Sequence, residues 1–272
     1  MFHLHYQLNQ IIPRDNLKTL QYLNSIQRWT EERQMVFNER KTKNIIFNFS
    51  KSNQFMTDFI LKNESLEVVK ETKLLGVFIA SDLKWNRNTE QLVNDANRRM
   101  RVLHRASQFS SNKQDLLVIY KMYIRSKLEQ SASVWHSSLS KCNENDLERV
   151  QKSALKVILK DKYSDYKNAL KNLNIESLCE RRELLCLKFA KKGLKLENFK
   201  RMFPIQVSNH LMDKRVSNKF KVNSAKTERY FRSSIPYMQR KLNNYERDLK
   251  RIMSSSNCTN EFYPSGSLVV KF

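Results

Sequence analysis

Hydrophobic positions change period part-way along this chain. Up to about residue 80 they mostly alternate, the period of a strand, and from about residue 88 they recur every three or four residues, the period of a helix. Met1-Phe2-His3-Leu4-His5-Tyr6 alternates weakly until Pro13, which reads as a strand remnant. An early helix interrupts the alternation: Asp15 stands at its N-cap, and Leu17, Leu20, Leu23, Ile26 and Trp29 set one apolar stripe that ends near Arg33 or Gln34. After the polar turn at 38–43, Ile45, Phe47 and Phe49 predict a strand over 44–50. Phe59-Ile60-Leu61 and Leu66-Glu67-Val68-Val69 flank Lys62-Asn63-Glu64-Ser65 at hairpin spacing. Leu74–Ala80 follows as a short apolar strand containing Gly76, where glycine marks a bulge or the close approach of another backbone.

The rest is helical. Over 89–108, Leu92, Ala96, Met100 and Leu103 share one narrow sector, with Arg98, Arg101 and Arg105 on the opposite side. The stretch 114–138 is apolar over a wider arc, through Leu116, Ile119, Tyr120, Tyr123, Ile124, Leu128 and Trp135, and predicts one central buried helix. Asn145 is the expected cap of a helix with Leu147, Val150, Ala154 and Ile158 inward and Arg149, Lys152, Lys156 and Lys160 outward. A further helix covers about 176–195 and ends near Gly193. Pro204 opens an irregular Asn-, Ser- and Lys-rich section, Pro236 suits the first turn of a last helix at about 237–253, and 254–272 reads as a loose tail. The predicted class is α+β and mostly α. Its parts are 1–86 with the strands, 87–200 as a helical domain, 201–253 as a helical extension, and the tail.

Charge turns this pattern toward a partner. The 272 residues carry 50 Lys+Arg against 27 Asp+Glu, a formal net charge of +23. Such an excess attracts polyanions, nucleic acid first and an anionic membrane surface second. No apolar run approaches the ~20 residues of a membrane span. Cys142, Cys179, Cys186 and Cys258 form no C-x-x-C pair and lack closely spaced histidines, so neither a zinc site nor a cofactor is expected. His3 and His5 have no acidic or cysteine partner close by. This cysteine usage fits a reducing, intracellular setting.

Catalytic patterns are sparse. Three scattered glycines cannot build a phosphate loop, and no G-x-S-x-G elbow occurs. Two-metal phosphoryl transfer needs convergent carboxylates, yet the ten aspartates include no Asp-Asp and no Asp-x-Asp. Basic helix faces are what remains, Arg98/Arg101/Arg105 and Arg149/Lys152/Lys156, and no small-molecule substrate is indicated.

The order of several short runs resembles the reverse transcriptases of non-LTR (LINE-like) retrotransposons. Trp29-Thr30-Glu31-Glu32, Met35, Asn38, Lys41-Thr42 and Phe47 resemble the segment after the catalytic motif. Lys73-Leu74-Leu75-Gly76-Val77 with Asp82-Leu83-Lys84-Trp85 resembles the primer-grip strand pair. Tyr120, Arg125-Ser126-Lys127-Leu128-Glu129, Ser133-Val134-Trp135 and Leu147-Glu148-Arg149-Val150-Gln151-Lys152 resemble the helical region after the palm. Thr227-Glu228-Arg229-Tyr230, Ser233-Ser234-Ile235-Pro236 and Met238-Gln239 resemble the ending of such frames.

The resemblance covers about 16–245 and implies a palm edge, a primer grip and a thumb. It implies that Lys41 sits near the leaving pyrophosphate, as general acid or neutralising charge. It implies that Leu75, Gly76 and Val77 form a turn approached by the primer backbone, and that the basic helix faces hold RNA or an RNA–DNA hybrid through its phosphates. The family's Tyr/Phe-Ala-Asp-Asp and its earlier aspartate do not occur in this chain. The expectation is therefore the C-terminal piece of a polymerase, binding nucleic acid without catalysis, with Mg²⁺ needed only by a full-length enzyme. The alternative is a domesticated, non-catalytic RNA-, DNA- or protein-binding helical protein.

Overall fold

A computed structural model describes residues 14–36, 38, 41–49, 59–61, 64–109, 112–206, 219–222 and 224–256. The expected N-terminal strand remnant, turn residues 62–63, part of the irregular section, Cys258 and most of the tail lie outside them. The protein is α+β and mostly helical, and it divides into two units, Met1–Gln91 and Leu92–Phe272.

In the first unit, helix α1 spans Arg14–Glu32. Only part of its apolar stripe is covered. Leu20 and Leu23 pack on Phe59 and Leu66, whereas Ile26 and Trp29 stay exposed, with the Arg33 guanidinium 5.0 Å above the Trp29 ring. The expected strand over 44–50 contracts to β1, Lys43–Asn44, which pairs in parallel with β4, Glu67–Val68. A strand persists only where a neighbour takes its backbone bonds, and Phe47 and Phe49 lie beyond that ladder, exposed. The predicted hairpin forms more tightly than its sequence spacing implies: β2, Ile60–Leu61, pairs with β3, Glu64–Ser65.

The stretch read as one glycine-interrupted strand is instead a hairpin. β5, Glu71–Leu74, returns as β6, Val77–Ala80, in the register Leu74↔Val77 and Glu71↔Ala80. Leu75 and Gly76 make the turn with φ of 48° and 86°. Two consecutive positive φ values mark the turn whose twist matches that of its strands, which is why glycine belongs at the second position. Leucine at the first crowds its Cβ against the backbone, and it stands 92% exposed with nothing to offset that cost. The Asn88 side chain accepts a hydrogen bond from the Phe78 N–H at 3.2 Å, fixing β6 to the first turn of helix α2, Asn86–Phe109.

In the second unit, α2 buries Leu92, Ala96, Met100 and Leu103, the sector that its periodicity selects. The predicted single helix over 114–138 is broken. Asn112 caps α3, Lys113–Ile119, which widens into a π-helical turn over Tyr120–Arg125 and closes at Ser126–Leu128. Ser131 then takes a left-handed conformation before α4, Ala132–Trp135, and a 3₁₀ turn, His136–Ser138. The rephasing keeps Leu116, Tyr120, Ile124, Leu128 and Trp135 inward while Tyr123 emerges, contrary to its expected burial.

Helix α5, Lys141–Leu159, begins earlier than expected because the Ser140 side chain, rather than Asn145, takes the capping bond. Helix α6, Tyr166–Leu173, is capped by Asp165 and is too short to show in the periodicity. A capping box from Ser177 and Glu180 starts α7, Leu178–Gly193. Short α8, Glu197–Lys200, and α9, Glu228–Arg232, precede α10, Ser234–Ser256, with Pro236 in its first turn. Met238 and Leu242 of α10 join Cys186 and Ala190 of α7, together with Phe203 and Phe220, in one apolar cluster. The Asn243 amide both accepts from the Phe220 N–H and donates to its carbonyl, each at 2.9 Å.

Leu75→Asn is expected to raise the stability of the β5–β6 hairpin by about 1 kcal/mol, because asparagine tolerates the left-handed turn position that leucine strains. Slower amide hydrogen exchange at β5 and β6 is the measurement, and unchanged exchange would show that the turn stores no strain.

Candidate functional site

The residues expected to touch nucleic acid fall in both units. Lys41 is exposed in a short turn after α1, its own N–H bonded to the Asn38 side chain at 3.1 Å. Leu75 and Gly76 form the hairpin tip, and Val77 is buried beneath it. These four belong to the first unit; the two basic faces belong to the second.

Arg98, Arg101 and Arg105 project from α2 as its buried sector demands, and Arg98 reaches Asp95 at 3.7 Å. Arg99, between them, turns to structural use. It donates to the Tyr123 carbonyl at 2.6 Å, with its guanidinium 4.7 Å above that ring. On α5, Arg149, Lys152 and Lys156 follow at i, i+3 and i+7, all exposed. Arg149 pairs with Asp146 at 3.1 Å. Lys152 stands 5.1 Å above the Tyr166 ring and Lys156 5.6 Å above Tyr163. Among the described residues no ion pair engages Arg101, Arg105, Lys152 or Lys156. Lys160, expected in the same outward stripe, donates instead to the Ser107 carbonyl at 2.7 Å and ties the end of α5 to the end of α2.

Behind the α5 face lies a buried polar chain. Gln151 accepts from the Tyr120 hydroxyl and donates through Nε2 to the Tyr166 hydroxyl at 2.8 Å and the Glu176 carbonyl at 3.1 Å. Glu148 accepts from the Tyr166 hydroxyl and from the Leu178 N–H at 3.1 Å. Burial raises both tyrosines above their ordinary range, with the Glu148 carboxylate adding to the rise at Tyr166, so both remain neutral donors.

Beyond it Arg182 is fully buried, its Nε donating to His136 Nδ1 at 3.3 Å. Sequence reasoning misses this arginine. Its signal is phase, since Arg182 falls between Leu178 and Cys186 on a run of inward positions spaced by four. His136, Cys179 and Glu183 converge within 4.8 Å, a set able in kind to hold a soft divalent ion and not seen in the cysteine spacing. Its members are already engaged: Arg182 on His136, Glu144 accepting from Cys179 at 2.8 Å, and Lys241 on Glu183 at 2.8 Å. Burial and the Glu144 carboxylate push the Cys179 thiol up to about 12, which keeps it protonated and unreactive.

No family model matches this chain, and neither a curated protein nor a solved structure does. Its geometry alone defines the class: a mostly helical protein with cationic helix faces backed by a buried polar core.

Burial, reinforced by Arg182, depresses His136 from 6.5 to about 4. The unfolded chain therefore takes up this proton first. Stability is complete above pH 6.5 and declines toward pH 4, by roughly 3 kcal/mol at most. His136→Gln keeps an acceptor for Arg182 and should flatten that decline in denaturant unfolding at pH 7 and 4.5. An equal decline in the variant would assign the acid sensitivity elsewhere.

Proposed function

We propose that this protein binds nucleic acid without catalysing a reaction on it, gripping the phosphate backbone with the outer face of α5, and with α2 in support. The resemblance to LINE-like reverse transcriptases gives that reading a context, a thumb-like helical unit following a primer-grip-like hairpin. One observation carries it: Lys152 and Lys156 project from a rigid helix over the rings of Tyr166 and Tyr163, free of carboxylate partners among the described residues.

Surface lysines are most often solvated and idle, so the setting matters. Each ring confines its ammonium at an entropic cost already met in the folded protein. A phosphate arriving at that face meets oriented cations, while Arg149 can exchange Asp146 for it at little net cost. The charge of +23 draws the polyanion in from a distance. Catalysis is not part of the reading, because the aspartates of this chain stand singly in its sequence.

The test is fluorescence anisotropy on a labelled RNA–DNA hybrid across a potassium chloride series. Lys152→Glu with Lys156→Glu is expected to weaken binding uniformly across sequences and to lower the salt slope by about 2, roughly one for each lost phosphate contact. An unchanged slope would remove α5 from the interface. Primer extension with Mg²⁺ and nucleoside triphosphates is expected to yield no product, and incorporation would refute the non-catalytic reading.

A further inference from the structure

A second cationic surface lies on α10, and sequence periodicity gives no sign of it. Tyr237, Arg240, Lys241, Asn244 and Arg247 line a cleft of about 310 Å³. Residues 237, 240, 244 and 247 recur at helical spacing, so a single face of α10 supplies them, and Val222 closes one side. No carboxylate lines the cleft among the described residues. Of the nearby acids, Glu246 holds Lys219 at 3.1 Å and Asp248 lies 3.9 Å from Arg251, while Glu183 pairs with Lys241 of the cleft itself at 2.8 Å, which leaves the two arginines as its uncompensated charge.

Arg240 is fixed rather than free. Its Nη2 donates to the Phe231 carbonyl at 2.6 Å and its guanidinium lies 3.7 Å above the Phe231 ring. Its Nη1 is enclosed and has no hydrogen-bond partner among the described residues, so the guanidinium keeps unused N–H groups after Phe231 has engaged Nη2. Arg247 is exposed, two turns further along the same face, held by the Asn244 side chain. Two arginines on one wall, beside an amide, supply the planar donor sets that suit the multiply accepting surface of a phosphate oxyanion.

We propose that this cleft is a phosphate-binding site, taking a phosphate group through Arg240 and Arg247 with Asn244 alongside. It is separate from the α5 face and does not rest on that reading. Two sources share this chemistry, a free or terminal phosphate monoester and a backbone phosphodiester.

Isothermal titration of the full chain with inorganic phosphate, against chloride at equal ionic strength, tests the site. Phosphate is expected to bind selectively, and Arg247→Gln, an exposed change that spares the fold, to weaken it about tenfold. Arg240→Lys, which keeps the charge and loses the fork, is expected to weaken it as well. Lys152→Glu with Lys156→Glu should leave phosphate binding intact, which separates this site from the nucleic-acid face. Competition by a 5′-phosphorylated dinucleotide alone assigns a monoester; competition by its unphosphorylated form too assigns a phosphodiester. Heats equal for phosphate and chloride, or wild-type phosphate affinity in Arg247→Gln, would overturn the proposal.

Discussion

The second unit is arranged around a guanidinium that water does not reach. Removing an arginine from solvent costs several kcal/mol unless acceptors and negative charges around it answer, so the neighbours of Arg182 are constrained. His136 accepts from Nε, while the Glu148 and Glu144 carboxylates act on the charge through a poorly screened interior. His136 then stays neutral, because burial and the Arg182 charge outweigh the pull of Glu183 and Glu144 on it. Glu148 is held in turn by Tyr166 and the Leu178 N–H, and Tyr166 by Gln151, which also takes Tyr120. The chain of contacts runs through α3, α5, α6 and α7, so register errors among these helices would strand a polar group. Apolar packing tolerates small slips; a network of this kind does not.

That constraint also shapes the outside. On α5, the inward arc must carry Leu147, Val150, Ala154 and Ile158 together with Glu148 and Gln151. The acid of this central turn is consumed inward, and the outward arc is left to Arg149, Lys152 and Lys156 with a deficit of nearby carboxylates. A cationic face on this helix is thus partly a by-product of where its carboxylate is needed. Tyr166 follows the same logic, because it sends its hydroxyl to the core while Lys152 covers the face of its ring.

Legibility in the sequence followed the strength of the periodic signal. Leu92, Ala96, Met100 and Leu103 are inward because they form the apolar sector of α2, and the basic residues opposite follow from them. The Gly193 end of α7 was equally readable. The broken path from Lys113 to Ser138 was not, since a π-helical turn preserves apolar spacing while shifting its phase by one residue. Hydrophobic pattern alone makes the Leu75-Gly76 turn a strand, because leucine at a positive φ contradicts local preference; the resemblance to a primer-grip turn is what places a turn there. Of the candidate site, the cationic faces were visible as stripes. Their backing was not: Gln151 and Arg182 are polar residues at inward positions, and pairing them requires contacts 15 to 46 residues apart in sequence.

The two cationic surfaces differ in how their charge is presented to solvent, and this separates what each can do. Lys152 and Lys156 face open water, where the attraction of one phosphate is weak and falls with salt. Their effect grows only when a polyanion engages many such groups and releases its counterions, so this face selects for length and charge density. The α10 cleft is partly enclosed, and Arg240 is oriented by Phe231 before any ligand arrives. Screening is weaker there and orientation is already fixed, so one phosphate group suffices to gain from it. A single chain thus carries a face suited to a polymer and a cleft suited to one group, and the difference follows from enclosure rather than from the number of charges.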